Sequence, residues 1–269
     1  MKRRQFVKHG LSGAALTCLP RFSLAMATPP GGDSDNSERY DYVLRAERGS
    51  ATLVPGKQSE ILGFNGQFPA PTIRVRQGER LRLRFENHLD EASTIHWHGI
   101  RIDNAMDGVP VLSQAPVQPG ESFLYDFVCP DAGTFWYHPH LEGKTAEHVY
   151  HGLAGLFIVK DPQNELALPD RYGTDDIPLI IQDKIFNADG SFNYPGTHMG
   201  VKGDQFLVNG AVTPVFNAPA QFVRFRLLNG SNARIYNFGF SDNRQFHQIG
   251  TDGGLLERPV PLTRLRLST

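Results

Sequence analysis

Arg80-Leu81-Arg82-Leu83-Arg84-Phe85 alternates charged with apolar side chains over six residues. Successive side chains of a strand point to opposite faces, so Leu81, Leu83 and Phe85 share one face and the three arginines the other. Phe123, Tyr125 and Phe127 alternate with Ser122, Leu124 and Asp126 in the same way. Residues 94–100, 133–138 and 155–159 are further strand candidates. Turn signals separate them at Pro69-Ala70-Pro71, Gln77-Gly78, Asp107-Gly108 and Pro119-Gly120. Short strands with regularly spaced turns predict a β-sandwich or barrel.

A polar connector, 161–174, carries Pro162 and Pro169. A second β pattern follows at 177–181, 206–208, 222–228, 235–240 and 246–249, and helical periodicity is weak throughout. The expectation is an all-β chain with two sandwich domains, 40–160 and 175–269. Residues 261–269 read as the opening of a strand with nothing after it. The second sandwich is therefore expected to be incomplete, with an unpaired edge, and the chain to be the N-terminal part of a longer one.

The first residues read as an address rather than as fold. Lys2-Arg3-Arg4-Gln5-Phe6-Val7-Lys8 is a twin-arginine stretch, a mildly apolar run spans 10–19, and Ala25-Met26-Ala27 fits a small-residue cleavage site. Pro20 and Arg21 interrupt a run already shorter than the roughly 20 apolar residues of a spanning helix, so no stable membrane anchor is expected. Residues 1–27 are thus predicted to be a signal peptide that directs the chain to the periplasm, and the Pro-, Gly- and Ser-rich 28–39 a flexible linker. Cleavage would lower 27 basic residues by five to 22, against 28 acidic ones, moving the net charge from -1 to -6. No basic block remains, which argues against nucleic acid as a partner. Cys18 lies in the signal, which leaves Cys129 alone, and it reads as a small buried hydrophobe.

Two short stretches concentrate the chemistry: His96-Trp97-His98-Gly99 and His138-Pro139-His140. Residues i and i+2 of a strand face the same way, about 6–7 Å apart. Each pair thus offers two imidazoles side by side, and Trp97 must point into packing. Pro139 has no N–H, so its strand ends there or lies on an edge. One such pair is commonly a surface accident; two, both at strand ends and flanked by aromatics, predict a metal site. Imidazole suits zinc, copper, iron and nickel, and spacing alone does not choose among them; a zinc lyase or hydrolase stays open at this point. His88 reads as a solvated turn residue, and His148, His151, His198 and His247 as structural.

Gly63-Phe64-Asn65-Gly66, Pro69-Ala70-Pro71-Thr72-Ile73 and Gln77-Gly78-Glu79 resemble the opening of the multicopper oxidases. Thr94 to Gly99 resembles that family's first copper motif, and Gly133 to His140 its second. Gly152-Leu153-Ala154-Gly155-Leu156 continues the pattern. The likeness, nearest to the bacterial periplasmic copper-efflux (cuprous) oxidase, extends through Ile181-Gln182-Asp183-Lys184, Leu227-Leu228-Asn229-Gly230 and Asp252-Gly253-Gly254-Leu255-Leu256.

The resemblance implies cupredoxin-like Greek-key sandwiches, a third domain beyond these two, and copper that reduces dioxygen to water. By it, His96 matches a ligand of the type 2 copper, His98 and His138 match ligands of one type 3 copper, and His140 a ligand of the other. Asp107 matches an acidic residue proposed to relay protons; a plain turn aspartate before Gly108 competes with that reading. The family's later His-x-x-His-x-His and His-Cys-His stretches, with the type 1 thiolate, are not in this sequence. The chain is therefore expected to supply half of the cluster's histidines and no activity by itself. Implied partners are dioxygen and either cuprous ion or a small organic reductant such as a phenol. A copper-free structural or interaction protein of the same fold is the alternative. An electron-transfer cupredoxin is disfavoured, because it needs a Cys with two His.

Overall fold

In a computed structural model describing residues 40–163 and 167–269, the chain is built almost wholly of strands. The predicted signal and linker, 1–39, lie outside the described residues. The first eight strands are β1 (Tyr42–Val54), β2 (Lys57–Phe64), β3 (Ile73–Arg76), β4 (Arg80–Asn87), β5 (His96–His98), β6 (Ser122–Val128), β7 (Gly133–His138) and β8 (Gly155–Lys160). They form two four-stranded sheets, ordered β2-β1-β4-β6 and β3-β8-β7-β5. β1 runs parallel to β4 and β3 to β8, and the other neighbours are antiparallel.

Alternation decides which faces meet. Leu81, Leu83 and Phe85 of β4 are buried with Tyr125 and Phe127 of β6. On the outer face Arg80 pairs with Asp126 across the strands at 2.6 Å. From the second sheet Trp97, Tyr137 and Phe157 fill the same core, all fully buried. The Trp97 ring meets Tyr125 edge-on at 5.2 Å and Phe157 at 5.6 Å. Burying each such ring contributes about 2–3 kcal/mol, so the two sheets are held with their alternate residues facing inward.

One short helix, α1 (Thr145–His151), lies between β7 and β8. The sequence reading did not anticipate it: seven residues are two turns, too few for a period to show. It buries His148, Val149 and Tyr150.

Beyond the connector come β9 (Asp176–Lys184), β10 (Gln205–Val208), β11 (Ala211–Val212) and β12 (Arg224–Asn229), in a sheet ordered β11-β10-β9-β12. β13 (Tyr236–Phe238), β14 (Phe246–Gly250), β15 (Leu255–Leu262) and β16 (Leu265–Leu267) follow as the two-stranded ribbons β13-β16 and β14-β15. The final residues divide between two strands rather than opening a single one, and each two-stranded ribbon keeps an unpaired edge. Residues 261 and 262 end β15, and β16 pairs with β13 from Tyr236↔Leu267 to Phe238↔Leu265. Apolar side chains are left uncovered here, with Phe222 86% and Phe225 40% exposed.

The later strands sit tightly on the first eight. A Cβ added to Gly133, at the start of β7, would lie 1.7 Å from the carbonyl oxygen of Gly253. Arg226 of β12 is buried, holds Asp176 through two hydrogen bonds of 2.7 and 2.8 Å, and reaches Thr134 of β7 at 2.7 Å. Lys184 ends β9 with its ammonium group donating to the carbonyl of Tyr150. The same group lies 4.1 Å from the centre of the Tyr150 ring, with Phe68 and Phe192 at 5.7 and 5.6 Å.

Burial lowers the pKa of Lys184 to about 7, against the attraction of Asp183. Between that value and the ordinary lysine value of about 10.4 the folded chain holds fewer protons here than the unfolded chain, so this residue's contribution to stability grows as pH rises. The stability of the wild type minus that of Lys184→Met, measured by urea unfolding from about pH 7 to about pH 10, is expected to increase with pH. A flat or falling difference would show that the ammonium keeps its charge inside the aromatic cage.

Candidate metal centre

The edge strand β5 pairs with β7 so that His96 faces His138, Trp97 faces Tyr137 and His98 faces Trp136. Trp97 and Tyr137 take the inward face. The outward face then carries His96, His98, Trp136 and His138 at the corners of a two-by-two grid. β7 ends at His138, immediately before Pro139, as the missing proline N–H requires. The chain turns there and brings His140 back to the same place. Ring centres lie 5.5 Å apart for His96 and His138, 5.3 Å for His96 and His140, and 5.9 Å for His138 and His140.

Donor atoms of His96, His98 and His138 all lie within 4.8 Å of one another. His98 Nδ1 is 3.4 Å from His138 Nε2. His140 stands beside this trio, outside the 4.8 Å group, so the four histidines divide three to one. Two rings are oriented by main-chain acceptors. His96 Nδ1 donates to the carbonyl of Asp107 at 2.7 Å, and His138 Nδ1 to the carbonyl of Pro139 at 2.8 Å. Each bond fixes the tautomer and leaves Nε2 free as a ligand atom. Burial lowers the pKa of His138 to about 3, and burial with the neighbouring His96 lowers that of His98. The neutral imidazole that a metal requires is therefore the form these positions favour. Converging imidazoles, with the tautomers of His96 and His138 fixed and His98 and His138 favoured neutral, fit a borderline metal such as copper.

Asp107 follows a short 3-10 turn, Asn104–Met106. Its carboxylate lies 3.5 Å from His96 Nδ1, farther than its own carbonyl oxygen. The loop is seated by the next residue: Gly108 has φ +78°, and a Cβ there would lie 1.7 Å from the carbonyl oxygen of Ile95. Asp252, in the turn after β14, also acts on His98 electrostatically.

The remaining histidines among the described residues stay apart from the cluster. His148, on α1, is fully buried with Nε2 3.1 Å from Glu91. His88 is half-exposed near Glu86, and His198 and His247 are exposed. Cys129 is buried in the first core, where desolvation pushes its thiol up to about 12. Sequence reasoning missed Trp136, whose signal was its place two residues before His138. It also missed the two carbonyl acceptors, for which the letters at 107 and 139 carry no signal.

Gly108→Ala should unseat the loop and release His96 from its acceptor. A side chain at positive φ with a main-chain clash is expected to cost about 3 kcal/mol or more, read as a lower melting temperature. Asp107→Asn keeps the carbonyl and is expected to leave metal affinity within about threefold of wild type, since losing an outer hydrogen bond is what costs 10- to 100-fold.

A family model described as "Multicopper oxidase" matches residues 45–164, which contain every one of these groups except Asp252. The chain is 40% identical over 237 residues to the "Multicopper oxidase mco" of Staphylococcus aureus, covering 87% of this chain and 52% of that protein. It is 34% identical over 279 residues to "Cell division protein FtsP" of Escherichia coli, covering 100% of this chain and 58% of that one. Among solved structures, the laccase-like multi-copper oxidase CueO of Ochrobactrum sp. superposes with a TM-score of 0.79 at 36% identity, over 84% of this chain and 51% of that one. The chain spans about half the length of the curated relatives it matches. With the paired histidine motifs placed on adjacent strands, the chain belongs to the multicopper oxidase family.

Proposed function

We propose that this chain supplies half of the histidines of a copper cluster in an exported oxidase. The observation that carries the reading is the convergence of His96, His98 and His138, with His140 beside them, on one outward face. In this reading His96 serves a type 2 copper, His98 and His138 one type 3 copper, and His140 the other; the 3.4 Å approach of His98 Nδ1 to His138 Nε2 supports the middle pair. The bound cluster supplies four-electron reduction of dioxygen to water. The protein's own part is to hold the imidazoles neutral and oriented, and to keep a carboxylate, that of Asp107, at the rim, where it can hold or pass a proton.

The reductant is proposed to be cuprous ion or a small phenol. The Ochrobactrum CueO, described as having oxidase activity towards lignin model compounds and lignosulfonate, supports the phenol half of that proposal. The proposed organisation is a twin-arginine signal (1–27), a linker (28–39), cupredoxin-like domains at 40–160 and 175–269 joined by 161–174, and a third domain carrying the type 1 copper in the longer protein. Export would place it in the periplasm. No helix among the described residues is long and apolar enough to cross a membrane.

A second reading rests on the similarity to FtsP, which extends over the whole chain: a structural or interaction protein on the same scaffold. The gathered histidines favour the oxidase, since packing alone gives no reason to bring four imidazoles together on one face of the sheet.

Metal content and oxygen uptake test this on the chain and on a version extended through the downstream reading frame. The extended protein is expected to bind about four coppers, turn blue and consume oxygen with Cu(I) or a phenol, where removal of copper by a chelator abolishes uptake. The chain alone is expected to bind Cu(II) or Zn(II) weakly and to show no turnover. No stoichiometric metal in equilibrium dialysis, with no oxygen uptake by the extended protein, would shift the reading to the structural protein. In the extended protein Asp107→Asn is expected to lower turnover about 10²-fold or more if its carboxylate carries protons.

A further inference from the structure

The fourth corner of the outward grid is not a histidine but Trp136, and its ring lies flat against two of the other three. Its indole stacks on His98 at 4.7 Å between centres and 26° between planes, and on His138 at 4.2 Å and 24°. His96 meets each of its three neighbouring imidazoles edge-on, at 72–80°. Two modes of orientation thus coexist in one cluster. His96 and His138 are each fixed by a hydrogen bond to a main-chain carbonyl. The ring of His98 has no such acceptor among the described residues; its Nδ1 faces His138 Nε2. Its residue is also the more exposed of the stacked pair. What limits its rotation is the indole face beneath it.

We propose that Trp136 is a positioning residue, an aromatic platform that does for His98 the work hydrogen bonds do for His96 and His138. The same indole also lies against His138, whose ring centre is 5.6 Å from that of His98. The two rings resting on it are the two whose donor nitrogens come within 3.4 Å. β-sheet geometry explains how one residue can serve both. Trp136 is two residues before His138 on β7, hence on the same face, and directly opposite His98 on β5. An imidazole that donates its lone pair to a cation becomes electron-poor, and an electron-rich indole face stabilises it further. The platform should therefore favour the ligated form over the free one. The inference rests on the metal reading above and adds a residue to it.

Two arms test it on the full chain. In the metal-free wild type, the ring protons of His98 and His138 are expected upfield of those of His96 and His140 in histidine-selective NMR, because they lie over the indole face. Their absence from that region overturns the platform without recourse to any variant. In the second arm, Cu(II) alone and Zn(II) alone are titrated by calorimetry. Trp136→Leu is expected to lose about 10- to 100-fold in affinity, the range seen when an orienting group is removed from a ligand. Trp136→Phe, which keeps an aromatic face, is expected to stay within about threefold of wild type. A folded Trp136→Leu protein that binds as tightly as wild type overturns the proposal. Should that variant not fold, the wild-type NMR pattern and Trp136→Phe decide. If the wild-type chain binds neither metal, the upfield pattern alone sustains or overturns the platform, and oxygen uptake by the extended protein decides the copper reading separately.

Discussion

The register of β5 on β7 is the constraint on which the site depends. Because the side-chain period of a strand is two, a slip of β5 by one residue would send His96 and His98 into the core, bring Trp97 out, and leave His138 of β7 on the other face without them. The barrier to such a slip is hydrophobic. Trp97 and Tyr137 are fully buried, and Trp97 touches Tyr125, Phe127, Tyr137 and Phe157. The apolar faces therefore position the polar ones. Metal chemistry on the outside is specified by packing on the inside, through residues that never approach a ligand.

This link explains what the sequence could and could not disclose. Arg80 to Phe85 was legible as a strand because one face is buried and the other wet, which is the condition for strict alternation. His96 and His98 were legible as a pair for the same reason. α1 was not, since a seven-residue helix lacks the length for a period. The pairing of β16 with β13 was not either, because the partner of a three-residue strand is set by tertiary contact. The acceptors of His96 and His138 are main-chain carbonyls, and every residue has one. Side-chain identity at 107 and 139 could suggest a turn and a strand end, but not which oxygen would meet which imidazole.

Electrostatics and packing act together in the cluster. Imidazoles crowded within 6 Å of one another repel when protonated, and burial removes the water that would stabilise the charge. At His98 and His138 both effects favour the neutral ring. Two acidic residues act on this layer, Asp107 beside His96 and Asp252 through its charge on His98. They offer compensation for positive charge arriving at the centre without competing for the ligand positions.

The relatives sharpen where function resides. Proteins described as a multicopper oxidase and as a cell division protein are 40% and 34% identical to this chain over most of its length. Identity of that order fixes the fold for both, and a shared fold does not separate their functions. What speaks for chemistry in this chain is a handful of positions on two adjacent strands and the turn after one of them, where His96, His98 and His138 gather against one indole with His140 beside them. The core is filled from the opposite face by Trp97 and Tyr137 and does not call for imidazoles there, so their presence is a statement about chemistry, not about folding.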